Sequence, residues 1–342
     1  MSTMKKQTAP SRFSYARNRH IWRLVVVMLL WMAFMAATRF SKFYTLINFQ
    51  TMASQFPEFG LMALGVMLCM ITGGIDLSTV AVGNLTGILM ALLMKSMAAG
   101  GDLPGFAIPL VFVLGMGLGA LMGLFNGLLV AKVRIPPILA TLGASELITG
   151  IAIVLTKGKS ISGLPIQYSM SINTSLGGVV PVQLLIFAVV AVFIWFLLNR
   201  TTYGTKIYLL GTNANAARYS GLNNDRLLLK TYMLSGICAA LGGLTMLANY
   251  NSARADYGTV YVLQCVLIVV LGGVSPTGGR GRIGGVVLAI FLLRMLETGI
   301  NRFPQISSYY ISLIWGAVLL LVMVLDYFTE HKMRLPRLLK RS

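Results

Sequence analysis

Asp76, Asn84, Asn126, Glu146, Arg294 and Glu297 place polar or charged groups within or beside otherwise apolar stretches of this 342-residue chain. Charges at membrane depth are costly, so they face a cavity or a partner. Arg294 and Glu297 are three residues apart, the spacing at which two side chains meet on one helix face. That spacing serves either a structural ion pair or hydrogen bonding to a polar solute. Asn126 suits either a bond between helices or the lining of a path. Asp76 lies in GGIDLS, residues 73–78. Two glycines there loosen a helix, and Asp76 or Ser78 can cap the helix that follows. Such a break is either a short inner turn or a pair of helix ends presented to a solute. No nucleophile lies beside a base, so bond-making chemistry has no residues to carry it. His20 and His331 sit in basic end segments, and Cys69, Cys238 and Cys265 are scattered in or beside apolar runs. These spacings fit neither a metal site nor a disulfide framework.

The elements that must hold these residues are membrane helices. Hydrophobic residues make up 56% of the chain and charged ones 11%, against about 25% charged in soluble domains. Apolar runs fall at 22–40, 57–73, 77–97, 106–132, 136–156, 181–199, 231–251, 259–274, 283–300 and 307–326. Several are shorter than the ~20 residues of a full crossing, which predicts broken or partial helices. The alternating ten-residue strands of a membrane barrel are absent. The expected fold is an all-α polytopic membrane protein with about ten transmembrane helices. A single transmembrane domain over 22–326 lies between basic tails at 1–21 and 327–342.

A net charge of +19 could suggest nucleic acid, but its distribution argues otherwise. With ten spans and the N-terminus inside, 20 of the 28 Lys and Arg residues fall in inner segments. That is the bias expected of cytoplasmic loops, and it puts both termini in the cytoplasm. The basic stretch before residues 24–38 has the look of a signal peptide, but no A-x-A cleavage site follows. It is read as a tail and a first span. The same topology makes 200–230 the longest cytoplasmic loop. Its stretch GTNANAARYSGLNNDRLLLK, residues 211–230, is polar and rich in small residues. The longest outer loop, 157–180, suits an extracytoplasmic partner or plain solvent.

Glycine patterns carry further weight. Gly115, Gly119, Gly123 and Gly127 recur every four residues and line one helix face, where they let a neighbouring backbone come close. Gly279, Gly281 and Gly284 match G-x-G-x-x-G, but a dinucleotide site needs a preceding strand, and membrane spans flank this one. A flexible inner turn, with Arg280 and Arg282 facing anionic headgroups, is the expectation. Gly158-Lys159-Ser160 resembles the end of a phosphate-binding loop, but position 153 is Ile where that motif needs Gly. This chain therefore has no ATP site or cofactor of its own, and any ATP-driven work, with its ATP and Mg, needs another subunit.

GGIDLS at 73–78, LFNGLLVAKVRIPPILATLG at 124–143, YGTKIYLLGTNANAARYSGLN at 203–223, LGGVSPTGGRGRIGG at 271–285 and SSYY at 307–310 occur in this order. Together they resemble the membrane-spanning permease of ribose-type ABC importers. The resemblance implies a multi-pass protein of the bacterial inner membrane that is not itself an enzyme. It implies a second permease copy or similar chain, ABC ATPase subunits at the cytoplasmic face, and a solute-binding protein outside. It also implies that residues 212–222 form a coupling helix docking on the ATPase. Ala214, Ala216, Ala217 and Gly221 then supply a close-packing surface, and Asn213, Asn215 and Arg218 supply polar contacts. Gly204, Thr212 and Leu222 complete the set. The chain departs from the family pattern at Thr149, where an arginine is frequent, and around 294–302, where Arg294, Glu297 and Arg302 replace an Asn-rich apolar pattern. The departures weigh against ribose itself as solute. The rival readings are an ion-gradient-driven transporter, for which Glu146 and Glu297 are the candidate coupling carboxylates, and a membrane anchor that moves no solute.

Overall fold

The computed structural model describes residues 12–98, 101–303, 310, 313–318, 320 and 324. Most of the expected span 307–326 and of both basic tails lies outside these. Among the described residues, eight helices are long and apolar enough to cross a membrane. They are α1 (Arg12–Phe43), α2 (Leu46–Ile71), α3 (Thr79–Ala98), α4 (Ala107–Ala131), α5 (Pro137–Thr156), α7 (Val182–Arg200), α10 (Asn224–Tyr250) and α12 (Ile283–Ile300). α11 (Tyr261–Leu271) has 11 residues, about 16 Å of helix and so roughly half a crossing. Two short helices, α8 (Thr202–Thr212) and α9 (Ala214–Tyr219), precede α10.

Small residues rather than apolarity decide which helices lie at the centre. Over its most apolar window α2 is 89% buried, whereas α7 is 22% buried despite higher hydropathy. In lipid, hydrophobicity does not drive helices together, and close backbone approach does. α10 offers Ser235, Gly236, Ala239, Ala240, Gly242 and Gly243, all buried. The α4 glycines run antiparallel along it. A methyl group on Gly119 would overlap the carbonyl oxygen of Gly236, and one on Gly123 would overlap that of Tyr232. Gly115 faces Leu244, and Gly127 faces Leu229. Gly83 of α3 meets Gly243 in the same backbone-to-backbone way. α7 has bulky residues on its outer face, with Val189, Val192, Phe193 and Phe196 exposed, as suits lipid.

The segment expected as an outer loop at 157–180 is more structured than its composition indicates. It holds α6 (Ile166–Asn173) and a hairpin of β1 (Ser175–Leu176) and β2 (Val180–Pro181). Three buried apolar anchors, Leu164, Tyr168 and Ile172, hold it down. The Tyr168 hydroxyl donates to the Leu244 carbonyl at 2.9 Å, and the Ser169 hydroxyl to Ala248 at 2.8 Å. The segment therefore caps the far end of α10.

Candidate functional site

Among the described residues, three helix ends close on a left-handed glycine, and the first meets the turn that follows the second. α2 stops at Thr72, with Gly73 at φ 87°, a conformation that suits glycine. The Gly74 and Gly73 amides bond back to Cys69 and Met70, the paired bonds of a Schellman cap. α11 stops identically, Gly273 and Val274 bonding back to Val270 and Val269. α9 ends the same way at Gly221, φ 79°. The α2 cap leaves the Ile71 carbonyl free of helix partners, and the amide of Gly279 donates to it at 2.8 Å. The α2 end and the 277–279 turn after α11 thus lie together, beside Gly211 of α8.

From this junction the break 72–78 folds inward, where α4, α5 and α10 enclose it. Asp76 is 2% exposed. Its Oδ1 accepts from the Ser78 amide at 3.0 Å and the Ser78 hydroxyl at 2.7 Å. Its Oδ2 accepts from the Ser235 hydroxyl of α10 at 2.7 Å. Asn126 of α4 donates from Nδ2 to the Ser78 hydroxyl oxygen at 2.7 Å. The Thr141 hydroxyl of α5 accepts from the Leu77 amide at 3.1 Å and donates to the Ile75 carbonyl at 3.0 Å. Asp76 therefore closes a turn onto Ser78 just ahead of α3, and four helices converge on it. The Asn126 Oδ1 and the Tyr232 hydroxyl are buried here without a protein partner.

A second polar cluster lies about 20 Å along α2 from the break. Its centre is Glu58, 2% exposed. The Asn249 side chain of α10 donates to Glu58 Oε1, and the Tyr261 hydroxyl of α11 donates to Oε2 at 3.2 Å. Arg294 and Glu297 of α12 pair at 2.9 Å, both largely buried. Glu58 is a site residue that the sequence reading missed. The stretch NFQTMASQ before the expected run at 57–73 is polar, yet α2 begins at Leu46 and passes through Pro57. A carboxylate beside a helical proline inside such a run was the available signal.

The other expected residues are dispersed. Asn84 of α3 donates to the carbonyls of Ala255 and Tyr257 at 2.9 and 2.8 Å, and so pins the segment between α10 and α11. Glu146 stands alone, exposed halfway along α5. The open positions Gly143 and Gly150, where an added methyl group would meet nothing, lie on the same face.

In the 212–222 stretch the helical part is α9, Ala214–Tyr219, narrower than the expected bounds. Thr212 ends α8, and Asn213 caps α9, its Oδ1 accepting from the Ala216 amide at 3.0 Å. Ala217 is buried as the anchor, while Asn213, Ala214, Asn215, Ala216 and Arg218 are exposed. Gly204 is buried against the carbonyl of Leu198, so it packs α8 on α7 and does not join the exposed face. Tyr219, 93% exposed at the tip, is a second residue the sequence reading passed over. Beside α9 lies a hollow of about 290 Å³, whose lining includes Lys206, Leu222, Arg226 and Lys230. Asp225 offers these cations little, since it pairs with Lys132 at 3.2 Å.

Residues 48–323 match the family model described as branched-chain amino acid transport system / permease component. The chain is 34% identical to the ribose import permease protein RbsC of Bacillus subtilis over 283 residues, 82% of this chain and 84% of the relative. It is 31% identical to the protein of the same name from Escherichia coli K12, over 94% of this chain and 99% of the relative. The autoinducer 2 import system permease protein LsrD of Yersinia enterocolitica is 33% identical, over 82% and 83%. No solved structure matches the chain.

Proposed function

The chain belongs to the branched-chain amino acid transport system / permease component family, and from that premise we propose that it imports a monosaccharide or related small polar solute using ATP hydrolysed on partner subunits. It is a transport subunit, a multi-pass protein of the bacterial inner membrane, and not an enzyme. The observation that carries the energy-coupling reading is α9. It is a short, capped helix with one buried anchor and an otherwise exposed face of small and amide side chains, ending in an exposed tyrosine. A free-standing helix of six residues has little stability of its own. A rigid, close-packing knob of this kind suits a cleft on another protein. An exposed tyrosine at its tip has the character of an interface anchor, and the adjacent hollow of cations suits acidic residues on the same partner. On this reading the α9 end faces the cytoplasm.

Glu146 supports the pairing of two permeases. A carboxylate exposed midway along a membrane helix is costly in lipid. A second copy or a similar chain covering the Gly143–Glu146–Gly150 face of α5 removes that cost and places Glu146 at the seam the solute crosses. A solute-binding protein then delivers the solute from outside, above the capped far end. The expected experiment is purification of the chain from its native membrane in mild detergent, followed by reconstitution. An ATP-hydrolysing subunit should co-purify stoichiometrically, and uptake of radiolabelled D-ribose or a related monosaccharide should require ATP and survive an uncoupler. A chain that purifies alone and moves solute on an ion gradient refutes the proposal.

A further inference from the structure

We propose that Gly211, Gly278 and Gly279 form a glycine joint that carries movement of α9 into the 72–78 break and so to Asp76. These are positioning residues, which touch neither ATPase nor solute. The inference rests on the coupling role of α9.

Three backbones converge closely at this joint, with the Thr212 hydroxyl beside Gly279. The Gly279 amide donates to the Ile71 carbonyl at 2.8 Å. A methyl group on Gly211 would overlap that same carbonyl oxygen and lie 2.5 Å from the Gly279 nitrogen. One on Gly278 would lie 2.7 Å from the Gly73 nitrogen and 2.9 Å from the Gly211 oxygen. One on Gly279 would lie 2.8 Å from the Thr212 Cα. All are closer than real Cβ contacts, so the fit exists only for glycine. The Tyr208 hydroxyl, one turn earlier on α8, donates to the Gly281 carbonyl at 2.9 Å and clamps the same two segments. The 275–280 turn is braced internally, with Ser275 and Arg280 bonded at 3.1 Å and Gly278 bonded to Ser275 at 3.0 Å.

Position makes the joint a transmitter. Gly211 and Thr212 immediately precede Asn213, the cap of α9. Gly73 is three residues from Asp76, and Thr141 and Ser235 tie that interval to α5 and α10. A displacement of α9 therefore passes through packed backbone to the break, and from there to α5 and α10 through the Thr141 and Ser235 hydrogen bonds. The other exit from α9 runs through Gly221, where an added methyl group would meet nothing within 4 Å. That side has no comparable backbone contact.

The test is amide hydrogen exchange of the purified permease–ATPase complex, with and without ATP plus vanadate. In wild type, trapping should change exchange both at 213–222 and at 72–78. In Gly211→Ala the change at 213–222 should persist, while that at 72–78 falls by about threefold or more. Tyr208→Phe removes one clamp without steric overlap, and decides the matter if Gly211→Ala does not assemble; it should weaken the response at 72–78 alone. A wild-type-sized response at 72–78 in an assembled variant overturns the joint and leaves the coupling role of α9 intact. A wild-type complex with no response at 213–222 overturns the coupling role itself.

Discussion

The same substitution at two glycines of one helix should act in opposite directions. Gly123 of α4 meets the backbone of α10, and an added Cβ would lie 2.9 Å from the Met233 Cα and closer still to the Tyr232 carbonyl oxygen. Neither atom belongs to a flexible side chain, so Gly123→Ala forces the helices apart by about 1 Å, a gap that already forfeits a quarter to a half of each contact it opens. Because Gly115, Gly119 and Gly127 share that interface, the loss extends along it. Overpacking of this kind costs about 1–3 kcal/mol. Gly117 on the same helix has nothing within 4 Å of its added Cβ. Gly117→Ala therefore keeps only the gain in helix propensity, up to about 1 kcal/mol. The two variants should differ by about 1–4 kcal/mol, which is up to several degrees in unfolding midpoint for a chain of this size. The assay is thermal unfolding of the purified protein in one detergent, read by tryptophan fluorescence. Equal shifts for the two variants, or a larger loss at Gly117, would refute the reasoning.

Tyr219→Ala should leave the permease folded and weaken ATPase association by about 2 kcal/mol, roughly thirtyfold, measured by titrating labelled ATPase onto reconstituted permease. Gly221→Trp places a side chain at φ 79° on the docking face; the chain should still reach the membrane but lose ATPase docking, and normal co-purification would sink the assignment. Asp76→Ala leaves the Ser78 amide and the Ser78 and Ser235 hydroxyls without their acceptor. It should destabilise by about 2–4 kcal/mol, and in a double-mutant cycle with Ser235→Ala the combined loss should be smaller than the sum. A single cysteine at Gly143 or Gly150 should cross-link two permeases in the membrane if α5 lies at their seam, and gel mobility under oxidation reads this directly.

Much of the organisation was legible in the sequence. The ends of α3, α4, α5, α7 and α12 lie within two residues of the apolar runs, because membrane helices must satisfy their backbones locally and their length follows bilayer thickness. The four-residue glycine spacing in α4 reads directly as a face, whereas the ten-span reading takes 259–274 as a full crossing and α11 has 11 residues. The order of the motifs identified the family. The start of α2 was illegible, because polar residues 48–55 imitate a loop and only packing on neighbouring helices keeps them helical. α6 was hidden in the same way by a polar composition whose few apolar anchors look incidental in sequence.

By itself the sequence determined most of the segments that cross the membrane, which helix face of α4 is fit for close contact, and that the chemistry is passage rather than bond-making. These follow from local properties: hydropathy, spacing and residue type. Only the tertiary structure decided that Asp76 and Asn126 share one network through Ser78, that Glu58 belongs with Asn249 and Tyr261, that Gly204 faces α7, and that residues 71–73, 211–212 and 278–279 meet. The physical reason is that a glycine in sequence declares room for a neighbour without saying which one. The neighbour is chosen by how all the helices pack at once, and contacts separated by scores or hundreds of residues leave no periodic trace along the chain.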